Sequence, residues 1–209
     1  MKLIKQLEWR YSVKRMNGEE VAKEKVNKIL KSIRLAPTSM GLQPFEILVV
    51  ENPEVKKDLF QIACGQPQVL ESSHLLIFSA WNQVTELLVD DYMKTIAEIR
   101  DLDIELLDDF KTSILKFVRS KNDKEIREWA ARQIYIALGT AIDAAALCHV
   151  DATPMEGFNS KAIDEYFDLE DDNLHSVVLL ALGYRDVHKD EFAEAPKVRR
   201  HFEDLFRFI

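Results

Sequence analysis

Apolar residues recur at helical spacing early in the chain. Val26, Ile29, Leu30 and Ile33 predict an amphipathic helix from about Glu20 to Leu35. Asn17-Gly18 precedes it as a turn signal, and Pro37 closes it, because proline disfavours helical geometry in the residue before it. Ile47-Leu48-Val49-Val50 is a β-branched run ended by Glu51-Asn52-Pro53, the pattern of a buried strand. Pro53 is placed to open a helix carrying Val55, Leu59 and Ile62. Leu75 to Phe78 and Val177 to Leu182 predict two further buried strands, the last being the most apolar stretch of all. From Gln83 to Val118 the chain is acidic and helical. Asn122 with Glu125 forms a capping-box pattern that opens a long helix through Trp129, Ile134, Leu138, Ile142 and Leu147. Its Ala137, Ala141, Ala144, Ala145 and Ala146 permit another helix to pack closely. The tail, Glu191 to Ile209, joins a basic cluster to Phe192, Phe202, Leu205, Phe206 and Phe208, and is expected to dock rather than dangle. Short apolar strands alternating with helices predict an α+β fold: a central mixed β-sheet covered by helices, in one domain over 1–209.

Composition narrows the function. With 209 residues the chain can bury a sizeable core, and 6 Gly and 6 Pro are too few for a loop-rich all-β protein. A net charge of −8 argues against generic binding to nucleic acid or to an anionic membrane, since both need a basic surface. Cys64 and Cys148 are expected to stay unpaired, with neither a disulfide framework nor a zinc site. Charges interrupt every apolar stretch of Met1 to Glu8, so no secretory signal is expected there, and no run is long enough to span a membrane. The expected setting is the cytoplasm.

Much familiar chemistry is missing. The sequence contains no G-x-G-x-x-G, no P-loop, no H-E-x-x-H and no G-x-S-x-G. Asp101, Asp103 and Glu105 resemble the start of a calcium loop, but its glycine is absent, so a solvated helix face is the ordinary explanation and no metal is expected. The histidines are scattered; His74 before a strand and His149 at a helix end suit structural roles.

Three clusters remain. Arg10-Tyr11-Ser12-Val13-Lys14 is polar and cationic, Ala36 to Phe45 is a helix-to-strand loop bearing hydroxyls, and Pro196-Lys197-Val198-Arg199-Arg200 is basic. Each alone has a plain explanation as surface charge or turn. Together they form an ordered series: Arg10-Tyr11-Ser12, Pro37-Thr38-Ser39 with Gln43-Pro44-Phe45, Pro154-Met155-Glu156-Gly157-Phe158, and Lys197-Val198-Arg199. Gly65-Gln66-Pro67-Gln68 adds a further matching feature. In order and spacing the series resembles the FMN-dependent nitroreductase family across nearly the whole chain.

The resemblance implies a nitroreductase-like fold with a long dimer-interface helix and a C-terminal extension. It implies a homodimer in which each flavin site is built from both subunits. FMN is the expected bound cofactor and NADH or NADPH the transient electron donor. A small-molecule oxidant (a nitroaromatic, quinone, flavin or enone) is reduced by ping-pong hydride transfer through flavin N5. The FMN phosphate carries about two negative charges and calls for cations and hydroxyl donors. Arg10 and Arg199 offer planar paired donors to it, with Ser12 and Lys197 assisting. Tyr11, Gln66 and Gln68 join the expected cofactor site, and Pro37, Thr38 and Ser39 line it from the partner subunit. Lys14 is expected near the N1/O2 edge, where a cation stabilises the charge of the reduced ring. Pro154, Met155, Glu156 and Gly157 are expected to present backbone N–H groups to N5 and O4, with Glu156 acting through its main chain. Lys14, Met40, Leu115 and Phe117 are the expected substrate contacts. No catalytic side chain is needed, because the cofactor carries the chemistry.

Two departures stand out. Gln68 occupies a place where some relatives have a second ring-side lysine, and Met40 and Leu42 make the expected pocket mouth more apolar. A flavin-binding sensor or storage protein with little turnover stays open, as does dehalogenase or flavin-destructase chemistry.

Overall fold

The computed structural model describes the backbone of residues 1–209 and every side chain except that of Cys64. Eight apolar-rich residues, β2 (His74–Trp81), run through the middle of a four-stranded sheet beside β4 (Leu174–Gly183), with β1 (Phe45–Val50) and β3 (Asp151–Met155) at the two edges. Side chains alternate across the sheet, and both faces are covered. Leu76, Phe78, Val178 and Leu180 point into one core, Leu75, Ile77, Leu179 and Ala181 into the other. That double burial is why β2 and β4 read as unbroken apolar runs.

Every pairing is antiparallel, which corrects the expected mixed sheet. The physical reason lies in the connections. Val50 pairs with Leu75, and Met155 with Leu179, so the segments joining β1 to β2 and β3 to β4 return antiparallel beside the strand they left, while the long β2-to-β3 connection crosses over β4 and leaves those two strands parallel but unpaired. The α+β, helix-covered architecture itself stands. β3 was not foreseen as a strand. Its Pro154 suits an edge position, where one side of the strand needs no ladder partner.

The helices follow the capping signals. α1 (Lys2–Trp9) and α2 (Lys23–Arg34) come first; Gly18 at φ 77° makes the turn before α2. α3 (Pro53–Leu59) starts at Pro53 with Asn52 as its cap, continues through a π turn at Phe60–Cys64, and is followed by α4 (Pro67–Glu71). The acidic stretch divides into α5 (Glu86–Arg100), a 3-10 turn at Ile104–Leu107 and α6 (Asp108–Arg119). Asp101 adopts a left-handed cap and Asp103 caps the 3-10 turn, so these acids punctuate helices. Among the described residues no acidic or His/Cys group could hold a metal.

α7 (Asp123–Leu147) begins with both halves of the Asn122–Glu125 capping box. It buries Ile126, Ala130, Ile134, Ala137, Ala141 and Ala145 along one stripe against the sheet and α2. α8 (Ser160–Tyr166) covers the opposite face of the sheet. Of the tail, Lys197 reaches back to the Leu7 carbonyl while Phe192 is exposed. Beyond Lys197, Val198, Phe202, Phe206 and Phe208 are exposed, with one short helix, α9 (Phe202–Leu205). No helix among the described residues is long and apolar enough to cross a membrane. Cys148 is a free, half-buried thiol; the expectation for Cys64 lies outside the described side chains.

Phe78 is fully buried. Phe78→Ala is therefore expected to cost about 3–5 kcal/mol of unfolding free energy in urea titration. Asn122→Ala, which removes only a cap, should cost about 1 kcal/mol.

Candidate functional site

α1 stops at Trp9 because Arg10 turns into extended backbone at ψ 145°. The last carbonyls of α1 would be left without partners. Lys197 fills that role from the far end of the chain, its Nζ donating to the Leu7 carbonyl at 2.7 Å and also to the Arg10 carbonyl. A groove of about 580 Å³ opens at this junction, lined by Arg10, Ser12, Arg185, Lys197 and Arg199, with Tyr11 in its wall. Arg10 Nη2 donates to Ser12 Oγ and to the Ala152 carbonyl, both at 3.2 Å, while its Nε is buried without a partner. Among the described residues Arg199 reaches only the carbonyl of its neighbour Val198.

Arg10, Lys197 and Arg199 thus converge with no carboxylate paired to any of them among the described residues. Burial lowers the Arg10 pKa, and Arg199 and Arg185 lower it further, against opposite pulls from Asp151 and Asp143. Lys197 is lowered by lost hydration where it sits on α1, then by Arg10, Arg199 and Arg185. Cations pressed together in this way favour an anion between them. Guanidinium forks, an ammonium and the Ser12 hydroxyl are a donor set suited to a phosphate. The orphaned Arg10 Nε fits the same requirement.

The groove keeps its shape through carboxylates that serve other partners. Asp190 Oδ2 accepts from the backbone N–H of Lys14 at 2.7 Å, that of Arg15 at 3.4 Å and the Tyr11 hydroxyl at 3.2 Å; Oδ1 accepts from Phe192 N–H. Burial alone would raise the Asp190 pKa, but these donors hold it below the usual value. Tyr11 is pushed up to about 12 by burial and by Asp190. Glu71 forks onto Arg15 and accepts the Met16 N–H, fastening the rest of the segment.

A second set of expected residues gathers at the turn after β3. Gly157 accepts at its carbonyl from Gln66 Nε2 at 3.1 Å, and the Glu156 carboxylate takes the Tyr135 hydroxyl of α7. Tyr135 is pushed up to about 12 by burial and by that carboxylate. Glu156 and Gly157 are exposed, and among the described residues their own N–H groups donate to no protein acceptor. Pro154 lies within β3 and the Met155 side chain is core, so this segment offers main chain at its turn. Gln68 is buried, giving Nε2 to the Val13 carbonyl at 3.2 Å and leaving Oε1 without a partner. The Lys14 side chain is exposed.

The remaining expected residues stand apart from the groove. Met40 and Gly41 both have positive φ, at 57° and 69°, and the Tyr92 hydroxyl holds the Met40 carbonyl at 2.9 Å. Ser39 N–H donates to Gln133 of α7, and Thr38 Oγ1 accepts from Gln43 N–H. Pro37 is exposed. Leu42 is buried, its apolar side chain packed in the core where Gly41 turns the chain. On α6, Leu115 borders a shallow depression, and Phe117 packs 5.4 Å from the Trp129 ring beneath Lys121.

Residues 7–184 match the model of the nitroreductase family. The chain belongs to that family. It is 29% identical over 219 residues to the major NAD(P)H-flavin oxidoreductase of Aliivibrio fischeri, covering 99% of this chain and 98% of that one. A structure from Exiguobacterium sibiricum solved in complex with FMN superposes with a TM-score of 0.83 at 22% identity, covering 99% of this chain and 97% of that one. A nitroreductase family protein from Streptococcus pneumoniae superposes at 0.80 with 17% identity and 99% coverage of both chains.

In this nitroreductase-family chain Arg185, Asp151 and Asp190 shape the groove and were not foreseen from sequence. Their partners lie far along the chain, 34 residues away for Asp151–Arg185 and 176 for Asp190–Lys14. A charged residue two positions after the most apolar strand, as Arg185 is, was the one available signal.

The lowered Asp190 pKa fixes a sign. Its contribution to stability is complete above the ordinary aspartate value of 3.8 and is lost as pH falls through the lower folded value. Hydrogen exchange at the Lys14 and Arg15 amides should therefore accelerate below that pH more steeply than at a neutral-bonded amide. Asp190→Ala should exchange fast at every pH, and a wild-type rate indifferent to acid would contradict the assignment.

Proposed function

We propose that the chain is a single-domain, cytoplasmic, homodimeric oxidoreductase that holds FMN and uses NADH or NADPH to reduce a small oxidant of the nitroaromatic or quinone class. The observation that carries this is the groove in which three cations without carboxylate partners meet from the two ends of the chain. Arg10, Ser12, Lys197 and Arg199 grip the phosphate of FMN there. The free N–H groups of Glu156 and Gly157 meet the polar edge of the ring, and Gln66 fixes the Gly157 peptide that presents one of them. Tyr135 takes up the Glu156 carboxylate, so that a negative charge is turned away from the ring. Lys14 is free to reach the opposite edge of the ring.

When bound, the flavin supplies hydride acceptance and donation, so the protein needs no acid–base triad. The chain's own part is to bind, orient and bias electrostatically. Pro37, Thr38 and Ser39 do not line the groove of their own chain, in keeping with service to the second copy's site. Exposed Tyr135, Ile136 and Leu147 on α7, and Phe202, Phe206 and Phe208 on the tail, offer apolar surface for that copy. Met40, Leu115 and Phe117 are the proposed apolar surroundings of the visiting substrates.

A second reading, a flavin-binding protein with little turnover, rests on Gln68, which places a neutral buried amide where some relatives have a lysine. One anaerobic titration separates the two. The purified protein should be yellow and should bleach stoichiometrically with NADH or NADPH. Retained colour that neither donor bleaches would favour the second reading, and protein that stays colourless with excess FMN would refute both.

Dimerisation is tested by sedimentation equilibrium. The full chain should run at twice its 24.2 kDa mass, and removal of residues 183–209 should give a monomer without flavin.

A further inference from the structure

Resting on the phosphate reading of the groove, we propose that Arg185 is a positioning residue: lying over Trp9 and Tyr11 and clamped by Asp151, it holds the Arg10 turn in the shape that grips a phosphate. Arg185 comes two residues after the end of β4, where the chain pairs again with the N-terminal segment. Asn17 N–H donates to the Tyr184 carbonyl at 2.9 Å and Asp186 N–H to the Arg15 carbonyl at 3.0 Å, with a β-bridge between Met16 and Arg185. The Arg185 Cζ stands 4.4 Å from the Trp9 ring centroid and 4.5 Å from that of Tyr11. These are the two residues that flank Arg10. One flat cation therefore fixes both neighbours of the phosphate-facing arginine.

Arg185 is itself immobilised. Its backbone N–H and Nε reach Asp151 Oδ2 at 2.9 and 3.0 Å, and Nη2 reaches Oδ1 at 2.5 Å. The carboxylate is almost fully buried, so this fork is the guanidinium's settled partner. Among the described residues Arg10, Lys197 and Arg199 have no such pairing, and that contrast separates the ligands from the residue that places them. The pairing has an electrostatic effect too. Arg185 repels Arg10 and Lys197, and Asp151 opposes that repulsion at Arg10. A lysine could supply the charge but neither the flat face nor the two-pronged hydrogen bond.

FMN and riboflavin share a ring and differ by the phosphate, so their two dissociation constants, read from fluorescence quenching on the full chain, isolate the grip. Loss of the ring contacts in Arg185→Met should weaken FMN about tenfold and leave riboflavin unchanged. Arg185→Lys should be equally weak. Recovery of wild-type FMN binding by lysine would mean plain charge suffices, and equal loss for both ligands would mean general damage; either overturns the proposal. Because Arg185→Met strands a buried carboxylate, the double variant Asp151→Asn with Arg185→Met is measured alongside, together with its melting temperature. Wild-type FMN affinity in that folded variant overturns the proposal as well. Arg10→Ala with Lys197→Ala tests the underlying reading separately. If that variant keeps its preference for FMN over riboflavin, the groove is not the phosphate site and both ideas fall. If it loses the preference while the Arg185 variants bind normally, only the positioning role fails.

Discussion

Like charges held close together are the central constraint of this molecule. Arg10, Lys197 and Arg199 come from opposite ends of the chain and repel one another, so something else must keep the ends joined. The structure solves this with carboxylates that bond to the backbone or to two other cations, Arg15 and Arg185, and leave those three cations unmatched. Asp190 gathers the Lys14 and Arg15 amides, Glu71 takes Arg15 and Met16, and Asp151 takes Arg185. Attraction and repulsion are thereby assigned to different residues, and a hollow lined by four cations against two carboxylates, Glu8 and Glu194, persists in a protein whose net charge is −8. Fold and site meet here, because Asp151 opens β3 and Arg185 follows β4.

The sheet contributes rigidity to that junction. β2 and β4 are buried on both faces, so their ends cannot shift without disturbing two cores at once. The turn after β3 inherits the same stiffness and is held from two further sides, by Gln66 before α4 and by Tyr135 on α7. Elements distant in sequence thus converge on a short stretch of main chain.

The sequence reveals some of this and conceals the rest for physical reasons. β2, β4 and α7 are legible because long runs, alanine stripes and a capping box are local signals. β3 is not, since Asp151 and Pro154 are poor strand formers that an edge tolerates. Strand direction was misjudged because pairing is decided by where connections re-enter the sheet, which no window of residues encodes. Within the site, Arg10, Ser12, Lys197 and Arg199 could be read from their motifs and do line one groove. Leu42 packs into the core beyond a left-handed turn at Met40 and Gly41, a backbone feature that residue types alone do not announce. Asp190 and Arg185 escaped notice because their partners are far away in the chain.

The separation between the two ends has a temporal side. Lys197 meets the Leu7 carbonyl across 190 residues of chain. A ribosome releases the N-terminal arginine long before it has made the lysine, so the hollow does not exist while the protein is being translated. On the proposed phosphate role of the groove, ligand capture is a late, post-synthetic event, and a polypeptide cut short before Lys197 would lack that grip however well its sheet had formed.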